Sequence, residues 1–399
     1  MSGGTPRIAY VCADPGVPVF GRKGSSIHVQ EVVRALAARG ARVEVFASRT
    51  GGEPPPDLRD IPLRWLPQPP KGDLAAREKA LLAANRELRE ALESAGRFDA
   101  VYERYSLWSF AGMEYARESR VPGILEVNAP LVEEQAAHRG LHDRPGAERV
   151  AELVFGEASA LVAVSEELAS RLGGYPATRD RVHVVANGVN PARFPEALEP
   201  AMPAPGRFTV GFVGTLKPWH GLPTLVEAFA RLRREHPDSR LLLVGDGPER
   251  ERLERSLRER GLSEAAELTG AVGPEELPGL LASMDVAVAP YPASESFYFS
   301  PLKVYEYLAA GRPVVASRVG QLEALISPGE NGLLCPPGDA GALAAALAGL
   351  RRDPDLRRRL GENGRAGVLR DHAWDAVARR ILALAGLAPN PEEPEEVRV

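Results

Sequence analysis

RIAYVC (Arg7–Cys12), a Pro/Gly-rich loop, the segment Ser25 to Arg39, Gly40 and then VEVFA (Val43–Ala47) decide the fold. The two outer pieces are short apolar runs rich in β-branched residues. Between them Ile27, Val29, Val32, Val33, Leu36 and Ala37 keep helical spacing. Strand, glycine loop, helix and strand in about 40 residues make a βαβ unit, which requires a parallel sheet covered by helices. Ser25 or Ser26 is placed to cap the helix start and Gly40 to end it.

The alternation continues outward. One amphipathic helix is expected around Leu74 to Ser94, strands near Ala100–Tyr102, Ile124–Val127, Leu161–Val164 and His183–Val185, and a helix from Glu166. Pro191 to Gly206 then carries five prolines and almost no periodicity, the pattern of a linker. After it the pattern restarts: strands at Phe208–Val213, Arg240–Val244, Val286–Ala289 and Pro313–Ala316, with helices at Leu222–Glu235, Glu249–Arg260, Leu302–Ala310 and Ala340–Arg352. The expected organisation is an α/β domain over 1–190, a linker over 191–206 and a second α/β domain over 207–371. A C-terminal helix over 372–388 is expected to return to the first domain, before an acidic, proline-rich, unstructured tail over 389–399. Open parallel sheets bind ligands at the carboxyl ends of their strands, so a cleft between the two domains is the expected site.

Composition narrows the chemistry. The 399 residues are 44% hydrophobic and 26% charged, the balance of a folded globular chain. A formal net charge of −5 supplies no field for a phosphate backbone, so nucleic acid is not an expected partner. Two cysteines, Cys12 and Cys335, suit neither a disulfide framework nor a zinc site and point to a reducing cytoplasm. The sequence shows no signal-peptide pattern and no apolar stretch of about 18 residues. Association with a membrane surface is not signalled and stays open. Only five of 49 basic residues are lysines (Lys23, Lys71, Lys79, Lys217, Lys303), so a lysine inside a motif is informative.

Several motifs have structural readings. Asp353-Pro354-Asp355 has the spacing of a metal-binding DxD, but Asp353 as N-cap and Pro354 at the first helical position make a helix start. His138 and His142 lack the glutamate of a zinc motif and read as loop. Gly245-Asp246-Gly247-Pro248-Glu249-Arg250 has Arg250 where a dinucleotide fingerprint needs its third glycine, so it reads as a capped helix start. Gly21 and Gly24, in a loop entering a helix, allow backbone N–H groups to approach an anion, although turning alone also explains them. Gly211–Gly221 (GFVGTLKPWHG) places Lys217 and His220, two potential cations, between strand and helix. Lys303 and Glu306 are i, i+3 neighbours at the start of another helix, where a surface ion pair is the plain alternative.

FVGTLKPWHGLPTLVEAFARL (212–232), LLLVGDGPERERLE (241–254), ELTGAVGPEELPGLLASMDVAVAPY (267–291) and SPLKVYEYLAAGRPVVAS (300–317), preceded by VSEELASRL (164–172) and VVANGVNPARF (184–194), resemble glycosyltransferase family 4. The resemblance spans nearly the whole chain. It implies the GT-B fold, two Rossmann-like doubly wound parallel-sheet domains facing a central cleft. It also implies retaining transfer of a hexose from a nucleotide sugar, UDP-linked first and GDP-linked second, to a sugar-containing or small-molecule acceptor, with no cofactor and no essential metal. The donor would lie mainly on the second domain. A silent nucleotide-sugar-binding subunit and a nucleotide-sugar epimerase are the alternatives.

Position by position, Glu306 matches the second glutamate of the family's E-x7-E motif, which holds the ribose. Tyr298 stands where the first glutamate meets the donor sugar, and Glu295 is out of register. Thr215 and His220 stand where the family usually shows Arg and Lys, so Lys217 and Lys303 are the candidates to restore the charge on the departing diphosphate and to act in catalysis. Ser300, Pro301 and Leu302 resemble the stretch whose amides meet phosphate and sugar oxygens. Ala271 and Val272 resemble the segment lining the base. Asn128 occupies the approximate place of a catalytic-site histidine, and Arg104 and Glu133 are placed to face the acceptor, with a structural salt bridge as the alternative.

Overall fold

The computed structural model describes residues 5–294, 297–298 and 300–388. Glu295 and the tail over 389–399 lie outside the described residues. The chain separates into two compact units. The first takes the described residues of Met1–Asn187, Tyr298–Ser300 and Trp374–Val399, and the second those of Gly188–Phe297 and Pro301–Ala373.

In the first unit the order is β1 (Arg7–Cys12), α1 (Gly24–Ala38), β2 (Arg42–Ala47), β3 (Leu63–Trp65), α2 (Leu74–Ala83), α3 (Asn85–Ser94) and β4 (Ala100–Arg104). Then come α4 (Ala111–Ser119), β5 (Gly123–Val127), α5 (Leu131–His138), α6 (Arg144–Glu157), β6 (Ala160–Ala163), α7 (Glu166–Leu172) and β7 (Val182–Val184). The sheet runs β3-β2-β1-β4-β5-β6-β7, and every pairing is parallel. Side chains on the central strands are buried on both faces, as two covering layers of helix demand.

The second unit contains β8 (Phe208–Val213), α8 (Leu222–Glu235), β9 (Ser239–Val244), α9 (Arg250–Glu259), β10 (Ala266–Gly270), α10 (Leu277–Ala282) and β11 (Val286–Ala289). It continues through α11 (Leu302–Ala309), β12 (Val314–Ser317), α12 (Gln321–Leu325), β13 (Gly332–Cys335), α13 (Ala340–Arg352) and α14 (Pro354–Asp371). Its parallel sheet runs β10-β9-β8-β11-β12-β13. Helix α15 (Trp374–Leu384) packs on α1 in the first unit, where Arg39 pairs with Asp375 at 2.8 Å.

Local chemistry departs from expectation in three places. The single helix expected over Leu74–Ser94 breaks at Ala84, because the Asn85 amide turns inward: its Nδ2 donates to the carbonyls of Leu82 (2.9 Å) and Trp108 (2.8 Å), and its Oδ1 accepts from the N–H of Phe110 and Ala111. Neither Ser25 nor Ser26 caps α1; Lys23 holds the N-cap position without a side-chain bond, and Ser26 is buried. Helix α9 begins at Arg250 with no side-chain cap on Glu249. Asp353 does cap α14, accepting from the Leu356 N–H at 2.8 Å. The proline-rich stretch after Asn190 is packed in the second unit, with Phe194 buried and its carbonyl held by Arg365 at 2.7 Å.

Candidate functional site

At the carboxyl end of the second sheet, β8 is tied to α11 because the Val213 N–H donates to the Tyr307 hydroxyl at 2.7 Å. The chain turns at Gly214 (φ +141°), and a Cβ there would approach Lys303 Nζ to 2.7 Å. Gly245 (φ +135°), at the end of β9, would carry a Cβ 2.1 Å from the Gly214 carbonyl oxygen. Both positions therefore need glycine, and their loops press together. Leu216 N–H donates to Asp246 O (3.0 Å) and Glu249 N–H to Leu216 O (3.1 Å), which fixes the pair.

Lys303 enters this loop from the first turn of α11. Its ammonium is buried, has no hydrogen-bond partner among the described residues, and lies 4.2 Å from the Phe212 ring centroid and 5.5 Å from that of Tyr291. Burial lowers its pKa to about 7, partly offset by Glu306. The surface ion pair between Lys303 and Glu306 does not form. Glu306 instead meets Arg193 at 3.0 Å, and Arg193 also donates to Pro274 O at 3.0 Å. Arg193 thereby joins Glu306 to the segment that follows Ala271 and Val272.

His220 is not the second cation that its position suggested. Its Nδ1–H donates to the Thr215 carbonyl at 2.6 Å, an oxygen that can only accept. Burial, followed by the positive charges of Lys303 and Lys217, lowers its pKa to about 3 against the raising effect of Thr215. The ring is neutral and presents a lone pair at Nε2. Lys217 is half-buried, its Nζ 5.4 Å from the ring centroid of the half-exposed Trp219. Pro301 is the N-cap residue of α11 and Leu302 its first residue.

In the first unit Gly21 is buttressed by Gln30, whose Nε2 donates to its carbonyl at 3.0 Å, and Gly24 opens α1. Arg104 and Glu133 are not brought together. Arg104 Nη1 lies 3.4 Å from Glu126 Oε2 and 3.3 Å from His28 Nδ1, while His28 Nε2 lies 3.1 Å from Glu126 Oε1. A guanidinium only donates, so His28 accepts at Nδ1 and its Nε2–H donates a hydrogen bond to the Glu126 carboxylate. Burial pushes the Glu126 pKa up, but His28 and Arg104 overcome it and leave the group at about 2. Arg104 makes an ion pair with Glu126. Asn128 follows β5 with a buried Nδ2 that has no partner among the described residues, and Glu133 is exposed on α5.

Tyr298 and Ser300, read as donor contacts, are engaged within the first unit. The Tyr298 hydroxyl donates to Glu134 at 3.3 Å and its carbonyl accepts from the Ser165 hydroxyl at 2.8 Å. Asn187 holds Ser300 through N–H to Oγ (3.2 Å) and Nδ2 to O (2.9 Å). Sequence reasoning missed Arg193, His28 and Tyr307. Arg193 stood within the quoted VVANGVNPARF, and His28 beside the apolar face of α1.

A model described as "Glycosyl transferases group 1" matches residues 207–353, and one described as "Glycosyltransferase Family 4" matches 22–193. A D-inositol 3-phosphate glycosyltransferase of Acidothermus cellulolyticus is 30% identical over 94% of this chain and 86% of its own. One of Stackebrandtia nassauensis is 32% identical over 91% and 86%. Among solved structures, sucrose-phosphate synthase from Thermosynechococcus elongatus superposes with a TM-score of 0.72 at 26% identity, over 95% of this chain and 98% of that one.

Proposed function

The chain belongs to glycosyltransferase family 4 and has the GT-B type of fold; from that premise we propose that it is a retaining hexosyltransferase, metal-independent, taking UDP-sugars first and GDP-sugars second as donor. The observation that carries this reading is the buried Lys303 ammonium against the Gly214 loop. When the bond between the anomeric carbon and the diphosphate oxygen breaks, negative charge grows on the leaving diphosphate. A preorganised cation in a dry site stabilises that charge without reorganising. The first turn of α11 adds its N–H groups, Lys217 is the second cation, and Thr215 and the neutral His220 line the loop. Glu306, steadied by Arg193, takes the ribose hydroxyls, and Ala271 and Val272 border the base. Gly21, Gly24, Tyr298 and Ser300 are left as positioning backbone and side chains.

The acceptor hydroxyl attacks the anomeric carbon on the face the diphosphate leaves, and its proton passes to a diphosphate oxygen. Asn128, in place of an imidazole, orients without accepting that proton. The DxD carboxylate of Asp353 is committed to the Leu356 N–H, which supports chemistry without a divalent ion.

Nucleotide release from UDP- and GDP-hexoses, with and without an acceptor panel, and the anomeric configuration of the product by NMR test this reading. Acceptor-dependent release with retained configuration is expected. Donor binding without turnover would make the chain a silent nucleotide-sugar-binding subunit. An epimerised hexose with no acceptor consumed would make it an epimerase.

A further inference from the structure

Lys217 and Lys303 are held by aromatic rings and not by carboxylates. The Lys303 ammonium lies 4.2 Å from the Phe212 ring centroid, and the Lys217 ammonium 5.4 Å from that of Trp219. Among the described residues neither ammonium has an ion pair or a hydrogen bond. Arginines of comparable burial differ: Arg34, Arg104, Arg193 and Arg240 each meet a glutamate. Burial by itself fixes Lys303. Lys217 is only half-buried and its Nζ is open to solvent, at the end of a flexible four-carbon stem, so it needs another restraint.

The ring beside it stands on a fixed turn. Pro218–His220 make a single 3₁₀ turn, closed by the His220 N–H on the Lys217 carbonyl at 3.1 Å. His220 anchors this turn: its Nδ1–H donates to Thr215 O at 2.6 Å, and its ring centroid lies 5.8 Å from that of Phe212 and 5.7 Å from that of Tyr291. At the exit Gly221 has φ +68°, and a Cβ there would run into the Pro290 carbonyl. Trp219 is carried on this turn 50% exposed, so core packing does not account for its indole.

We propose that Trp219 is the positioning residue for Lys217: the indole face holds the ammonium at the Thr215 loop and leaves its N–H donors free for the leaving diphosphate. A carboxylate in that role would neutralise the charge and occupy a donor. A ring attracts a cation through its quadrupole and brings neither net charge nor a competing carboxylate lone pair. The proposal rests on the reading of Lys217 as the second cation at the diphosphate.

The test uses the full chain labelled with ¹³C-lysine. Five lysines give five Cε signals, and Lys217→Arg identifies the one from Lys217. That signal is expected upfield of those from Lys71 and Lys79 through the indole ring current, and to move when UDP is added. Trp219→Leu should abolish the ring-current shift and weaken the response to UDP, while Trp219→Phe keeps part of both and serves if Trp219→Leu does not fold. In steady-state kinetics kcat should be highest in the native chain, intermediate in Trp219→Phe and lowest in Trp219→Leu. The fall in Trp219→Leu is expected to be about two- to fivefold, the scale of one partly exposed cation–π contact, with KM for the donor little changed. Adding Trp219→Leu to Lys217→Ala should cost nothing further.

An unshifted Lys217 signal in the native chain, a ring-current shift that survives Trp219→Leu, near-native kcat in Lys217→Ala, or the same loss from Trp219→Leu with and without Lys217 overturns the proposal. Turnover and the UDP response fail separately. Acceptor-dependent release with no UDP response at Lys217 leaves the transferase and removes the positioning role. A UDP response that depends on Trp219, without transfer to any acceptor, removes the transferase and leaves a diphosphate-binding loop positioned by the ring.

Discussion

Lys303 and Gly214 are complementary: the space a side chain at 214 would begin to fill is occupied by the Lys303 ammonium, 2.7 Å from the ideal Cβ position. If that ammonium stabilises the departing diphosphate, Lys303→Met should lower kcat about 10²–10³-fold, the cost of losing one preorganised electrostatic contact. Methionine fills similar volume without a buried charge, so the thermal midpoint should hold or rise. Lys217, half-buried beside Trp219, should cost less, about tenfold, on Lys217→Ala. Steady-state kinetics on folded variants decide it, and near-native kcat in Lys303→Met moves the clamp to Lys217, Arg22 or Lys23.

Lys303 also predicts a pH dependence. Its pKa is 10.5 in the unfolded reference and about 7 in the fold. Between those values the unfolded chain binds the extra proton, so stability contributed through this group should increase with pH from about 7 towards 10.5 and stay flat below 7. Denaturant unfolding across that range should show the slope in the native chain and less of it in Lys303→Met. Equal slopes would place the ammonium in solvent.

Glu306 and Arg193 should separate by kind of effect. Glu306→Ala should weaken donor binding by about 1.5–3 kcal/mol, the value of hydrogen bonds to a charged group, with the fold intact. Arg193→Lys should raise KM more than it lowers kcat, because Arg193 acts through Glu306. Calorimetric binding of UDP and UDP-glucose reads both, and unchanged affinity in Glu306→Ala removes the ribose assignment.

Chelation gives an independent check. Activity should persist in EDTA, since Asp353 serves a helix N-terminus. Complete loss, restored by Mg²⁺ or Mn²⁺, would show that a divalent ion carries the diphosphate.

The buried Glu126 should matter for stability. Glu126→Gln removes the charge facing His28 and Arg104, and breaking such a pair typically costs about 3–5 kcal/mol. The Glu126 pKa lies below its unfolded value of 4.5, so its contribution is present above pH 4.5 and is lost as pH falls towards 2. The variant should unfold earlier at neutral pH and show a shallower acid limb, both visible by circular dichroism.

Sequence alone determined the parallel α/β architecture of both units, because helix periodicity and glycine and proline punctuation are local properties of the chain. Asp353-Pro354-Asp355 was legible for the same reason: a cap needs only its next three residues. The short strands β3, β10 and β13 were not, since their residues are partly exposed and have little periodicity to read. Tertiary structure alone decided the charge states and partners at the candidate site. Whether Lys303 is a solvated ammonium or a buried one depends on Phe212 and Tyr291 closing over it. Glu306 finds Arg193 across 113 positions, and Arg104 finds Glu126 and His28 from two other elements. Desolvation and pairing depend on neighbours brought together by folding, so a sequence motif names the residue type while the fold sets its protonation and its partner.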